Sequence, residues 1–270
     1  MFFMNRFTNK KVVYKDEVFY LFLLLIQIAL RDVKGSIDFE DAFKRRLGFQ
    51  SSTDWKKFRA CVDLLEDTEY AIESAFQFQL GDLSIKNNDH GELYIRLYGI
   101  LNAVYLQSKA FVEISKLLHY PNPKLIDKSF KELKIYKLRG IAGSHTVDYE
   151  HDLETKKQYP KIKNITTFRI LQVTLSKTGK NICAIDENNI SFEFNLLDVL
   201  SEYEKLATNY LIKLIRHSID KLVHKKVDKL EMQNRLDIML PNLIDYSMIN
   251  KNDQYEKEKY VSILKKLKRK

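Results

Sequence analysis

The sequence predicts a mainly α protein, a helical bundle carrying one small antiparallel β-hairpin or meander. Three observations carry that expectation. Apolar residues recur at helical spacing through most of the 270 residues. Only eight glycines and four prolines interrupt them, too few for a turn-rich β fold. Between about residues 167 and 194 the pattern changes to near-alternation with β-branched and aromatic residues, the signature of strands.

The elements follow in order. Residues 18–30 (VFYLFLLLIQIAL) form the most apolar run of the chain, inside a helix expected over roughly 15–33. At 13 residues it falls short of the roughly 18 that signal a membrane span. Asp16 and Glu17 precede it and no small-residue cleavage pattern follows, so it reads as a buried or subunit-interface helix rather than a signal or membrane segment. Ser36 is placed to cap a short helix that runs to Leu47 and stops at Gly48. Thr53 or Asp54 then caps a long helix to about Leu80, with Trp55, Phe58, Val62, Leu65, Ile72 and Phe76 near one face.

A polar linker at residues 86–91 leads into a segment, 92–119, that is apolar almost all round and therefore expected at the centre of a bundle. Within it Gly99 and Ala103 would admit a neighbouring backbone, and Asn102 and Gln107 are polar exceptions that mark either a site or a register-setting hydrogen bond. Pro121 and Pro123 end that helix, and one more is expected over 124–144. Residues 146–165 are polar and irregular. The strands come next, turning near Thr178-Gly179, followed by a helix over 196–226 and a segment that Pro241 interrupts. Helices at 53–80, 92–119, 124–144 and 196–226 make a four-helix core. The implied partition is an N-terminal helical segment (1–50), a bundle with the β insertion (51–230) and a basic helical tail (231–270). The last twenty residues hold eight Lys/Arg against three Asp/Glu.

With 45% hydrophobic and 30% charged residues the composition is that of a globular chain. Its net charge of +9 suits a polyanionic partner such as RNA. Two distant cysteines, Cys61 and Cys183, make neither a disulfide framework nor a zinc pattern, which fits a reducing cytoplasm. Glycine-rich phosphate loops, Gly-x-Ser-x-Gly elbows and Cys/His nucleophile pairs are absent from the sequence. The acid pairs Glu66-Asp67 and Asp186-Glu187 read as a solvated helix face and a turn. His217 and His224, seven apart on one helix face, read as surface residues.

The segment Leu138-Arg139-Gly140-Ile141-Ala142-Gly143-Ser144-His145 closes a helical run and places an arginine six positions before a histidine. A permanent cation beside a group that titrates near neutral pH is the minimum for cutting RNA without a metal: one binds the phosphate, the other moves a proton. On an unbroken helix a six-position step turns through about 600°, leaving the two side chains about 120° apart. Gly140 and Gly143 are the residues that would let the helix loosen and the pair converge.

This spacing resembles the Arg-x4–6-His signature of the HEPN superfamily, helical proteins that include many prokaryotic defence and toxin ribonucleases. The resemblance covers the motif and the helical frame around it. Where active members carry Asn, Asp or His after the arginine, this chain has Gly140. The resemblance implies a metal-independent endoribonuclease of a bacterial defence or toxin–antitoxin system. Arg139 would bind phosphate, His145 would be general acid or base, and no cofactor would be needed. It also implies a homodimer whose facing motifs form one composite site, and a cognate antitoxin or regulatory protein as partner. Apolar surface on the helices at 18–30 and 92–118 adds to the dimer expectation. The alternative is a non-catalytic helical module that binds RNA or protein, with Arg139 serving a helix C-terminus. A metal site built on His145, Asp148 and His151 lacks a fourth strong ligand nearby.

Overall fold

The computed structural model describes residues 18, 21–28, 41, 44–45, 47–49, 51–81, 89–143 and 168–244, with side chains as far as residue 237. It is mainly helical with one small sheet, the architecture expected. The helical residues at 18 and 21–28 bury Val18, Leu21, Phe22 and Leu25 in the core, each no more than 1% exposed. Among the described residues of this most apolar run, Val18, Leu21, Phe22, Leu25, Ile26 and Ile28 are therefore covered within a single chain. Among the described residues no helix is long and apolar enough to cross a membrane.

Ser36 lies outside the described residues, but the stop at Gly48 is clear. Gly48 takes φ 72°, its N–H donates to the Arg45 carbonyl at 3.2 Å, and the Phe49 N–H donates to the Lys44 carbonyl at 3.0 Å. This is the left-handed C-terminal cap that glycine favours. Helix α1 (Ser52–Phe78) is capped by Ser51 rather than by Thr53 or Asp54. Asp54 is instead the reciprocal partner: its N–H donates to Ser51 Oγ at 3.2 Å, and its carboxylate accepts from the Ser51 N–H at 3.0 Å.

Helix α2 (His90–Leu117) starts two residues early, because Asp89 accepts from the Glu92 N–H at 3.1 Å and draws His90 and Gly91 into the first turn. At its far end His119 (φ 52°) occupies the left-handed position, with Tyr120 N–H donating to the Ser115 carbonyl. The Leu118 carbonyl also accepts from Lys221 Nζ at 3.2 Å and lies 3.1 Å from His217 Nε2. A carbonyl only accepts, so that histidine nitrogen carries the proton. His217 is thus a half-buried contact at a helix C-terminus, where donors and positive charge are favourable. His224 is exposed and lies beyond the last turn of its helix.

The helix expected over 124–144 is two helices, α3 (Pro123–Lys131) and α4 (Lys134–Gly143). The break sets the phase of the core-facing residues. Ile126 and Phe130 are buried in α3, and Ile135, Leu138, Ile141 and Ala142 in α4. On an unbroken helix Ile135 would stand about 140° away from Phe130. The turn at Glu132–Leu133 lets both sets face inward.

The sheet is antiparallel with order β1-β2-β3, from strands β1 (Phe168–Ile170), β2 (Ile182–Asp186) and β3 (Ser191–Phe194). Phe168 pairs with Asp186, and Ile182 with Phe194. Phe168, Ile170, Ile182, Ala184 and Phe194 are its buried residues. The β2–β3 connection uses Asp186 as a turn residue, its Oδ1 accepting from the N–H groups of Asn188 and Ile190, both at 2.8 Å. The exposed pair Glu66-Asp67 is likewise a solvated face of α1.

The β1–β2 connection does more than turn. Lys177 offers its carbonyl to the N–H groups of Leu80 and Gly81 at the end of α1, and Gly179 offers its carbonyl to the Leu196 N–H. Leu196 opens helix α5 (Leu196–Leu222), which is followed by α6 (Lys226–Ile244). Helix α6 runs through Pro241 instead of being interrupted there; near the helix end the missing N–H removes only one bond from the ladder. Gly179 has φ 58°, and a Cβ built on it would lie 3.0 Å from Leu196 Cβ and 3.4 Å from Leu80 Cδ1. A left-handed backbone and a tight packing site coincide at one residue. Gly179→Ala should therefore lower stability by about 2–4 kcal/mol, read as a shift in urea midpoint. A shift below about 1 kcal/mol would show that neither constraint operates.

Helix α2 is central, touching α1, α3, α4 and α5. It is not apolar all round, however. Asn102 is exposed, and so is Gly99, beside which a Cβ would find nothing within 4 Å, so no backbone approaches there. The buried polar exception is Gln107. Its Nε2 donates to Glu69 Oε2 at 2.9 Å and to Thr68 Oγ1 at 3.2 Å on α1, and its Oε1 accepts from the Tyr203 hydroxyl of α5 at 2.8 Å. One amide ties three helices together. Burial holds the Tyr203 phenol far above its ordinary ionisation range, so it remains a donor.

Candidate nucleic-acid interface

Arg139 is placed by α4. Leu138 and Ile141 on either side are fully buried, which leaves position 139 at the edge of the bundle, half-exposed. Its guanidinium carbon lies 3.7 Å from the centroid of the Tyr105 ring on α2. Lys109, one turn further along α2, brings Nζ to 5.4 Å from the same centroid. The Tyr136 ring stands 6.2 Å from Tyr105. A planar cation on an aromatic face keeps its edge of N–H donors available while the ring fixes its plane. Among the described residues no carboxylate pairs with Arg139.

The neighbouring cations are arranged differently. Asp127 of α3 accepts from Lys109 Nζ at 2.7 Å and pairs with Lys131 Nζ at 3.0 Å. Burial opposes the ionised form of Asp127, yet the hydrogen bonds from Lys109 and Lys131 outweigh it and hold the carboxyl below its ordinary value. Any stabilisation from this cluster is present above the ordinary carboxylate range and is lost as pH falls through the lowered value. Burial also pushes the Tyr136 phenol up to about 12, so it stays neutral beside Arg139. Lys137 Nζ sits 3.8 Å from the centroid of the Phe192 ring of β3.

The stretch of chain around these residues is rich in lysine. Residues 116–139 hold Lys116, Lys124, Lys128, Lys131, Lys134, Lys137 and Arg139 against two acids, Asp127 and Glu132. Much of this charge is offset locally: Lys116 pairs with Glu113, Lys128 with Glu132, Lys131 with Asp127 and Lys134 with Glu202. The surplus is positive, as a phosphate backbone requires.

His145 lies outside the described residues, as do Asp148 and His151. The structure therefore places Arg139 and not its sequence partner. The helix does not loosen at Gly140: α4 continues through Gly143, with Ile141 and Ala142 buried. Those buried side chains hold the last turn against the core. Among the described residues no group of three His, Cys, Asp or Glu side chains could hold a metal ion. Sequence reasoning missed Tyr105 and Asp127. The signal available was the Tyr105–Lys109 step of four, one helix face, but nothing local ties either residue to Arg139. No family model, no characterised protein and no solved structure matches this chain.

Proposed function

We propose that this protein acts on RNA as a metal-independent endoribonuclease of HEPN type, with Arg139 binding phosphate and His145 transferring a proton. The observation that supports this reading most is the state of Arg139. It is a half-exposed guanidinium, held in plane by Tyr105, without a carboxylate partner among the described residues, in a lysine-rich stretch of chain. Such a fork of donors suits two phosphate oxygens at once. His145 follows two residues after the end of α4.

In the proposed step the 2′-oxygen of ribose loses its proton and attacks the adjacent phosphorus. The bond to the 5′-oxygen breaks, and that oxygen takes up a proton, leaving a 2′,3′-cyclic phosphate. One histidine serves as base or as acid, which is why two facing motifs, in a homodimer, make the complete site. Burial of Val18, Leu21, Phe22, Leu25, Ile26 and Ile28 and of most apolar residues of α2 within one chain weakens the apolar-surface argument for that dimer, although Ile95 and Tyr98 stay exposed. The need for two motifs remains. A defence or toxin–antitoxin setting in the cytoplasm, with a cognate antitoxin, belongs to the same proposal. One observation favours the non-catalytic alternative: the Tyr105 stack accounts for Arg139 as a packing residue.

The test is cleavage of a single-stranded RNA with EDTA present, followed by identification of the ends. Cyclic phosphate ends formed at an undiminished rate are expected, because fixed charge rather than an ion stabilises the phosphorane. Loss of cleavage on chelation would overturn the mechanism.

A further inference from the structure

Helix α2 turns one face away from the core, on which Ile95 and Gly99 are exposed beside a row of polar and aromatic side chains. Tyr94, Tyr98, Asn102, Tyr105 and Lys109 are spaced four, four, three and four apart, which confines them to an arc of about 80°. The row runs for about 22 Å along the helix. The remainder of α2 is largely core, with Leu93, Leu97, Leu101, Val104, Ala110 and Phe111 buried. Along the row Tyr98 is 41% exposed, Asn102 is exposed and Tyr105 half-exposed. The Tyr94 and Tyr98 rings lie 5.8 Å apart and are inclined by 36°. At the other end Tyr105 carries the Arg139 guanidinium and faces Lys109.

We infer that this row is a stacking track for the unpaired bases of a single-stranded RNA whose phosphate is held at Arg139. The inference rests on the reading of Arg139 as a phosphate-binding residue and extends it to the form of the substrate. The order of the chemistry along the helix carries it. The exposed Tyr98 ring, with the half-buried Tyr94 ring beside it, offers a π-face that accepts any base but is useless to a base locked in a duplex. Asn102 follows with an amide that can donate and accept, as a base edge requires. Arg139 comes last, beside Lys109, which is paired with Asp127, so a strand laid along the row finds bases met by a ring and phosphate met by the guanidinium. An apolar protein partner would not need the cationic end, although Ile95, 68% exposed beside the row, would suit one.

The experiment uses the full chain and a labelled 2′-O-methyl RNA of about ten nucleotides, within the span of single-strand sites, which 2′-oxygen attack cannot cleave. An abasic strand of equal length serves as the charge control. Wild type should bind the base-bearing strand about tenfold more tightly than the abasic one, and Tyr98→Ala should erase that preference while leaving abasic binding unchanged. Tyr98→Trp should retain it, and Arg139→Ala should weaken both strands together. Equal binding of the two strands by wild type, or no effect of Tyr98→Ala where Arg139→Ala weakens binding, would overturn the track and leave the Arg139 reading standing. Unchanged RNA binding with a lower molar mass for Tyr98→Ala in light scattering would make the row a contact between copies and likewise overturn it. Failure of wild type to bind either strand would remove both readings.

Discussion

His145→Ala should lower the rate of RNA cleavage by about 10²–10⁴-fold, the usual contribution of a positioned acid or base, while RNA affinity stays within about threefold. Affinity is spread over many lysines and arginines of this basic chain, whereas proton transfer has no substitute in the motif. Arg139 should behave differently from an ordinary basic residue. Arg139→Lys should be nearly as damaging to cleavage as Arg139→Ala, by about 10²–10³-fold. An ammonium cannot present two parallel donors to phosphate, nor lie flat on the Tyr105 ring from which the guanidinium is 3.7 Å away. Single-turnover cleavage by the three variants decides the matter. If His145→Ala and Arg139→Lys both keep wild-type rates, the chemistry lies elsewhere in the chain.

Gln107→Leu should cost about 2–4 kcal/mol, a large share of the stability of an ordinary domain. The substituted side chain fills similar space, so the cost is polar. Glu69 loses its 2.9 Å donor and the Tyr203 hydroxyl its 2.8 Å acceptor. Both remain inside the bundle, where a polar group that loses a hydrogen bond has its desolvation less fully offset. Tyr203→Phe should cost less when added to Gln107→Leu than in the native chain, because the hydroxyl it removes is already deprived of that bond. Urea unfolding of the two single variants and the double variant measures this coupling. Simple additivity would mean that Gln107 and Tyr203 do not act as a unit.

The helical frame and the sheet were legible because their signals are local. Period and turn chemistry place α1, α2, α5 and the strands, and Gly48 and Asp186 stand at the turns their residue types favour. Legibility failed where phase rather than period decides. In a run as apolar as α2 the pattern fixes no inward direction, so Asn102 and Gln107 looked equivalent; only the neighbouring α1 and α5 show which one is enclosed. The break between α3 and α4 has no glycine or proline to announce it. At the candidate site Arg139 was visible as a charged residue in a motif. Its ring partner Tyr105 was not, since 34 positions of sequence separate them and only the packing of α4 on α2 brings them together.

The clasp at Lys177 and Gly179 bears on how the chain reaches this structure. It joins residue 80 to residue 177 and residue 179 to residue 196 by backbone bonds, so the ends of two long helices are fastened to the same short loop. Contacts that close so long a stretch form late, after local helix has already accumulated, and they slow the final approach to the native state. Once made, they place the small sheet in the same cooperative unit as α1 and α5. The amide hydrogens of Leu80, Gly81 and Leu196 are then released to solvent exchange only when those helices open together, not by fraying of a peripheral hairpin.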